Sequence, residues 1–277
     1  MSNKKIINFT PTGTQTTREN SYAPLTPDEI IEEVHMAYDL GITMTHIHAR
    51  DPETFENSYK KEIYGPIIEG IRKHCPDLTI CVSLTGRLYP EFEKRSEVLR
   101  LYPDMGSLTM SSLNFPKGAS QNDPSMIIRL IEAMNEYGVN PEIECFDSGM
   151  LNYTTYLQEK GILPQFVYMN TIFGNMFNAQ SDVHTISSII ANRKEGSLMC
   201  FGGIGKDQLK SNIMGLLYAD GIRIGLEDNL YYTEKNKATN KELLIRSHEI
   251  IGKLGLEIMT PAEFKLMGFG NKKINDK

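Results

Sequence analysis

The sequence predicts a (β/α)₈ TIM barrel on three observations. Short strand-like runs alternate with longer helical patterns from end to end, the rhythm of βα units around a parallel sheet. The runs number eight, which is the number that closes a barrel. The 277 residues suit one such barrel, so a single domain over residues 1–277 is the simplest organisation.

Each run has its own justification. Ile6–Thr10 alternates, with Ile7 and Phe9 on one face and Asn8 and Thr10 on the other. Thr26-Pro27-Asp28-Glu29 then places a cap, a first-turn proline and a capping-box carboxylate, and so opens the first helix. The later strands are expected at Met44–His48, Thr79–Ser83, Ser107–Thr109, Glu142–Phe146, Phe166–Asn170, Leu198–Phe201 and Gly221–Gly225. Asn240 is expected to cap a helix over Lys241–Leu254, and Thr260-Pro261-Ala262-Glu263 repeats the first cap signal. The polar segment Asn271–Lys277 reads as frayed.

Bulk properties exclude several classes of function. A net charge of −6 argues against an electrostatic grip on nucleic acid. The four cysteines, Cys75, Cys81, Cys145 and Cys200, form no CxxC pair, which argues for reduced buried thiols rather than a thiolate metal site. No run is long and apolar enough for a membrane span, and the N-terminus lacks the apolar stretch of a signal peptide. The expected location is the cytoplasm.

Polar residues gather on one strand face. Cys81, Ser83 and Thr85 share a parity, as do Ser107, Thr109 and Ser111, Glu142 and Glu144, and Arg223, Gly225 and Glu227. Buried polar groups are costly unless satisfied. Barrel active sites stand at the C-terminal strand ends, so this gathering points to a functional pocket.

The sharpest local signal is Thr45-His46-Ile47-His48-Ala49-Arg50. An HxH on a strand puts both imidazoles on one face, roughly 6–7 Å apart, close enough to converge on one ion. Met44 makes an apolar floor on the same face. The other reading is a pair of packing histidines. A third ligand would come from another strand end, and Glu227 offers a carboxylate just after the eighth strand. A simple salt bridge from Glu227 to Arg223 is the alternative there. Two histidines and one carboxylate suit zinc and leave a coordination position open. His35, His184 and His248 fall in helical patterns and His74 at a helix end, so they compete poorly.

Together these residues resemble the β-keto acid cleavage enzymes, the family typified by 3-keto-5-aminohexanoate cleavage enzyme. The resemblance runs nearly end to end. Its most specific stretches are His46-Ile47-His48-Ala49-Arg50 and Arg223-Ile224-Gly225-Leu226-Glu227-Asp228-Asn229. Thr12-Gly13, Ser83 and Gly86, Ser107 to Phe115, Pro141-Glu142, Ser148-Gly149-Met150 and Gly203-Ile204-Gly205 add to it. The resemblance implies a zinc-dependent reaction of a β-keto acid with acetyl-CoA that yields acetoacetate and a new acyl-CoA. It implies His46, His48 and Glu227 as metal ligands and Asp228 with Arg223 as the catalytic pair. It also implies Ser83 and Ser107 as substrate contacts, Ser107 keeping the hydroxyl of a threonine found elsewhere in the family. Gly86, Asn114 and Glu144 complete the expected substrate wall. A homotetramer is the expected assembly.

Gln15 departs from the family pattern, because it stands where enzymes for an amino-bearing keto acid place a glutamate. An amide pairs less strongly than a carboxylate with an ammonium. The expected substrate therefore has a neutral or polar distal end rather than a cationic one. After strand seven, Gly203, Gly205 and Lys206 form a candidate contact for the CoA phosphates. Two competing classes are a different metal-dependent barrel lyase or hydrolase, and a non-catalytic binding barrel. The first fits poorly: amidohydrolases carry HxH on the first strand and add later histidines, whereas metal-dependent aldol lyases carry it late in the barrel. Both histidines and Glu227 are present, which argues against the second.

Overall fold

A computed structural model of the chain describes residues 3–19 and 21–275. Eight parallel strands close into a barrel: β1 (Lys4–Phe9), β2 (Met44–Ile47), β3 (Thr79–Val82), β4 (Met105–Thr109), β5 (Asn140–Cys145), β6 (Tyr168–Phe173), β7 (Leu198–Gly203) and β8 (Gly221–Ile224). Closure is made by β1 against β8, with Asn8 opposite Arg223. Every strand overlaps its predicted run, with ends displaced by a few residues. The sixth moves furthest: Phe166 is exposed and lies outside it, while the strand continues to Phe173.

The principal helices are α1 (Pro27–Leu40), α2 (Lys61–His74), α3 (Phe92–Ser96), α4 (Pro124–Tyr137), α5 (Ser148–Glu159), α6 (Val183–Ala191), α7 (Asp207–Tyr218) and α8 (Asn240–Lys253). α1 starts with the expected capping box between Thr26 and Glu29. α8 does not start as predicted. Its cap is Thr239, which forms a capping box with Glu242. Asn240 instead turns inward, donating to Pro11 O at 3.0 Å and accepting from Leu226 N at 2.9 Å. An inward amide that joins two loops is worth more buried than as an exposed cap.

Two apolar layers flank the strands. Ile7, Phe9, Ile47, Ile80, Leu108 and Ile143 face the helices. Inside the barrel, Ile6, Met44, Cys81, Met105, Tyr168 and Cys200 form a lower layer, closed beneath by Met259, Phe264 and Phe269. Phe264 and Phe269 stack with centroids 4.5 Å apart. The C-terminal segment is accordingly anchored rather than frayed as far as residue 275. Asn271 is fully buried and donates to Pro103 O at 2.8 Å, and Asp104 accepts from its backbone N–H at 3.0 Å. Asp276 and Lys277, the last two residues of the segment expected to fray, lie outside the described residues. All four cysteines are free and buried. Among the described residues, no helix is long and apolar enough to cross a membrane.

Candidate metal centre and active-site pocket

Above the apolar layer the barrel interior becomes polar, and a cavity of about 530 Å³ opens at the C-terminal strand ends. Its floor holds a potential ion site. His46, on β2, and His48, just beyond it, point to the same side, with ring centroids 5.3 Å apart. Glu227 reaches them from the loop after β8. Its Oε1 lies 3.2 Å from His48 Nε2 and its Oε2 3.8 Å from His46 Nε2. One donor atom from each residue falls within 4.8 Å of the others.

Two of these atoms, His46 Nε2 and Glu227 Oε2, are buried and have no hydrogen-bond partner. Orphaned buried polar atoms are rare because each forfeits its hydration without compensation. Two that face each other beside a third donor fit a divalent ion.

Glu142, on β5, holds His46 from behind. Its Oε2 accepts from His46 Nδ1 at 2.5 Å and from the Cys81 thiol at 2.9 Å; its Oε1 accepts from Asn8 Nδ2 at 2.6 Å and Asn170 Nδ2 at 2.7 Å. Burial opposes charge on this carboxyl, yet His46 and Arg223 hold it ionised, down to about 2. Burial likewise opposes charge on His46, and the Glu142 and Glu227 carboxylates overcome it, raising the imidazole to about 9. His48 is lowered, with burial the main cause. His46, Cys81 and Glu142 also fall close enough to hold a metal. However, burial pushes the thiol well up, and it already serves Glu142 as a hydrogen-bond partner, so this triad acts as a brace. Such a carboxylate fixes the ring tautomer and orientation of a ligating histidine. Replacing Glu142 with Gln is expected to weaken divalent-ion binding about 10–100-fold, measured by competition with a chromophoric chelator.

Arg223, on β8 and almost wholly buried, organises the opposite wall. Its Nε donates to Asp228 Oδ2 at 2.8 Å, its Nη2 to Glu227 Oε1 at 2.7 Å and its Nη1 to Glu144 Oε1 at 3.3 Å. The Glu227–Arg223 bridge offered above as an alternative to a ligand is therefore present, but it engages only Oε1. Burial raises Asp228 and Glu144 against the pull of Arg223, which makes each a stronger base than an exposed carboxylate. Glu144 also accepts from Thr109 Oγ1 at 2.8 Å.

Local backbone fixes the Glu227–Asp228 turn. Gly225 has φ +154°, and a Cβ there would stand 2.0 Å from Thr10 O. A Cβ on Gly13 would stand 2.5 Å from Glu227 Cγ, so the loop after β1 presses directly on the carboxylate arm. Gly205 N donates to Asp228 O at 2.8 Å, and Gln208 Nε2 to Gly225 O at 2.9 Å.

The other sequence-derived residues divide into two groups. Gln15, Ser83, Glu144 and Gly205 line the cavity with His46, His48, Arg223, Glu227 and Asp228. Ser107, Gly86, Asn114, Gly203 and Lys206 do not. The Ser107 hydroxyl accepts from Leu84 N at 3.0 Å and braces the strand end beside Ser83. Gly86 lies against Gln121 O, where a Cβ would come within 2.2 Å. Asn114 is exposed, and its backbone O accepts from Asn175 Nδ2 at 2.9 Å. Gly203 packs on α7, and Lys206 is exposed at the start of that helix.

Sequence reasoning placed Glu142 on the inward polar face through its shared parity with Glu144 but gave it no role as the brace of His46. It also missed Arg87, an inward cation with no periodic cue. Arg50, the last residue of His46-Ile47-His48-Ala49-Arg50, has a structural task. It donates to Gly13 O and, at 2.9 Å, to Thr16 Oγ1, so it ties the loop after β1 to that after β2.

Comparison with known proteins adds four findings. A sequence model of the β-keto acid cleavage enzymes matches residues 4–268. The 3-keto-5-aminohexanoate cleavage enzyme of Fusobacterium nucleatum subsp. nucleatum is 31% identical over 269 residues, spanning 95% of this chain and 97% of that protein. A 3-oxoadipate:acetyl-CoA acetyltransferase of Cupriavidus necator is 29% identical over 269 residues, spanning 94% and 93%. Among solved structures, the apo structure of ObcA shares the fold, with a TM-score of 0.76 at 19% identity over 90% of this chain and 66% of that one.

Proposed function

The chain belongs to the β-keto acid cleavage enzyme family, and from that premise we propose that it is a zinc-dependent enzyme acting on a β-keto acid and acetyl-CoA. The products are acetoacetate and a new acyl-CoA. The observation that carries the reading is the pair of orphaned atoms, His46 Nε2 and Glu227 Oε2, facing each other beside His48.

In this reading His46, His48 and Glu227 hold the ion, and two imidazoles with one carboxylate suit zinc. Zinc supplies Lewis acidity to the keto group of the substrate when bound. The chain's own residues do the rest. Asp228 takes the proton from the carbon between the keto and carboxylate groups, a task for which its raised basicity fits it. Arg223 holds Asp228 in place through Nε and binds Glu227 and Glu144 through its two terminal nitrogens. The substrate carbanion attacks the acetyl thioester and displaces the thiolate of CoA, the thiolate adds to the original keto carbon, the bond between that carbon and the new acetoacetate unit breaks, and the freed acetoacetate carbon takes back the proton held by Asp228. Ser83 meets oxyanion charge from the cavity wall, while Ser107 supports its strand end from behind. Gly205 and the exposed Lys206 are suited to the acetyl-CoA side of the mouth. A cytoplasmic homotetramer formed by one domain per chain is part of the same reading.

Asp228→Asn keeps the size and one acceptor of the side chain but removes the base. It is expected to lower kcat about 10²–10⁴-fold with metal content unchanged, measured by steady-state formation of acetoacetate and elemental analysis. The amide of Gln15 leads us to expect little turnover of keto acids with a cationic distal end. A substrate panel with acetyl-CoA tests both levels of the proposal. Preference for an ammonium-bearing substrate would overturn the Gln15 reading; acetoacetate from none of the β-keto acids would overturn the reaction.

A further inference from the structure

The cavity contains a cation to which the reaction above gives no task. Arg87 follows β3 and lines the cavity beside Thr14, Phe115 and Lys117, which belong to the connections after β1 and β4. Its guanidinium carbon lies 3.5 Å from the centroid of the Phe115 ring. Nη1 donates to Thr14 Oγ1 at 2.7 Å, while Nε is buried and has no hydrogen-bond partner. Among the described residues no carboxylate lies within ion-pair distance of Arg87. The acids nearest in charge, Glu227, Glu144 and Asp228, are already paired with Arg223.

Arg223 is satisfied on three sides, whereas Arg87 is oriented by a ring and a hydroxyl with most of its donors unused. A guanidinium so fixed loses little freedom when it binds a planar anion through two parallel N–H groups. Lys117, exposed on the hairpin formed by Leu113–Phe115 and Gly118–Ser120, adds a second positive charge to the same wall. The reacting groups, in contrast, stand at the strand ends, and Thr14, which anchors Arg87, is next to Gln15.

Resting on the function proposed above, we propose that Arg87 is a specificity residue that binds an anionic group at the distal end of the substrate, so that the enzyme takes a β-keto dicarboxylic acid. A phosphate of CoA offers similar chemistry. The half-buried, ring-stacked position of Arg87 favours the carboxylate, whereas Lys206, next to the cavity-lining Gly205, is exposed and outside the cavity, a position open to a phosphate.

The test uses two six-carbon β-keto acids, one ending in a carboxylate and the other in a methyl group. Their binding to the intact, metal-loaded protein is measured by calorimetry without acetyl-CoA, and their turnover is measured with it. The parent is expected to bind the dicarboxylate at least about tenfold more tightly, the effect of one charge-assisted pair. Arg87→Met is expected to lose that preference, with the affinity for the methyl analogue and the KM for acetyl-CoA unchanged. Equal binding of the two acids by the parent would overturn the proposal whatever the variant does. So would a variant whose only change is a raised KM for acetyl-CoA, which would assign Arg87 to CoA. Preference in binding without turnover of either acid would support the subsite and overturn the reaction.

Discussion

Glu227→Ala is expected to remove both the bound ion and the activity. The side chain contributes one of three donor atoms, and its unpartnered Oε2 faces the unpartnered Nε2 of His46. Lewis-acid stabilisation of developing charge is worth several kcal/mol, so kcat/KM should fall by about 10³-fold or more. The fold should survive. Arg223 keeps Asp228 and Glu144 as partners, and the truncated side chain borders a cavity already open to water. Elemental analysis, steady-state kinetics and thermal melting on the same sample check all three statements. Full activity in a folded variant would show that the carboxylate serves only the salt bridge with Arg223.

Arg223→Met is expected to damage stability as well as activity. The guanidinium is the counter-charge for Glu144, Glu227 and Asp228, each of which is mostly buried. A methionine of similar length leaves those carboxylates facing one another without a cation. Removing one member of a buried ionic cluster costs about 3–5 kcal/mol. At roughly 2–4 °C per kcal/mol for a chain of this size, the fall in Tm is large. Arg223→Lys should recover part of the stability but little activity, because one ammonium cannot hold three carboxylates in the directions that the planar fork does. Differential scanning calorimetry with and without added zinc gives the stability. A Met variant as stable as the parent would mean that the three acids are protonated or solvated and that Arg223 is not their keystone.

The barrel was legible because its strands carry two independent patterns. Outward residues such as Ile7, Phe9, Ile47 and Ile80 follow the helix-packing face, and inward residues change from apolar (Ile6, Met44) to polar (Asn8, His46) along each strand. Parity therefore located the polar interior, including Glu142, Glu144 and Arg223. It did not tell which inward groups meet the cavity, because that depends on height in the barrel. Glu142 is one step lower than Glu144 and faces His46 Nδ1 rather than the cavity. Ser107 likewise sits one step below Thr109, which lines the cavity.

Loops were less legible, since their side chains answer to distant partners. Asn240 looks like a cap by composition, yet its amide bridges Pro11 and Leu226, and the shorter-range Thr239–Glu242 box takes the helix start. Arg87 has no sequence cue because Phe115 and Thr14, which orient it, come from other connections. The end of the chain looked frayed from its polarity. Asn271 is held by hydrogen bonds to Pro103 and Tyr137, which no local pattern encodes.

The central claim is that His46, His48 and Glu227 form one metal site on which the reaction depends. Calorimetric titration of the metal-stripped protein with zinc, beside His46→Ala, tests it most directly. The account predicts one zinc per chain in the parent and little binding in the variant. It also predicts proton release: His46 is raised to about 9 in the metal-free chain, so below that value its Nε2 must lose a proton before it can act as a ligand. Apparent affinity should climb by about tenfold per pH unit towards about 9 and level off above it. A folded parent that takes up no zinc, or binding undiminished in His46→Ala, would contradict the account.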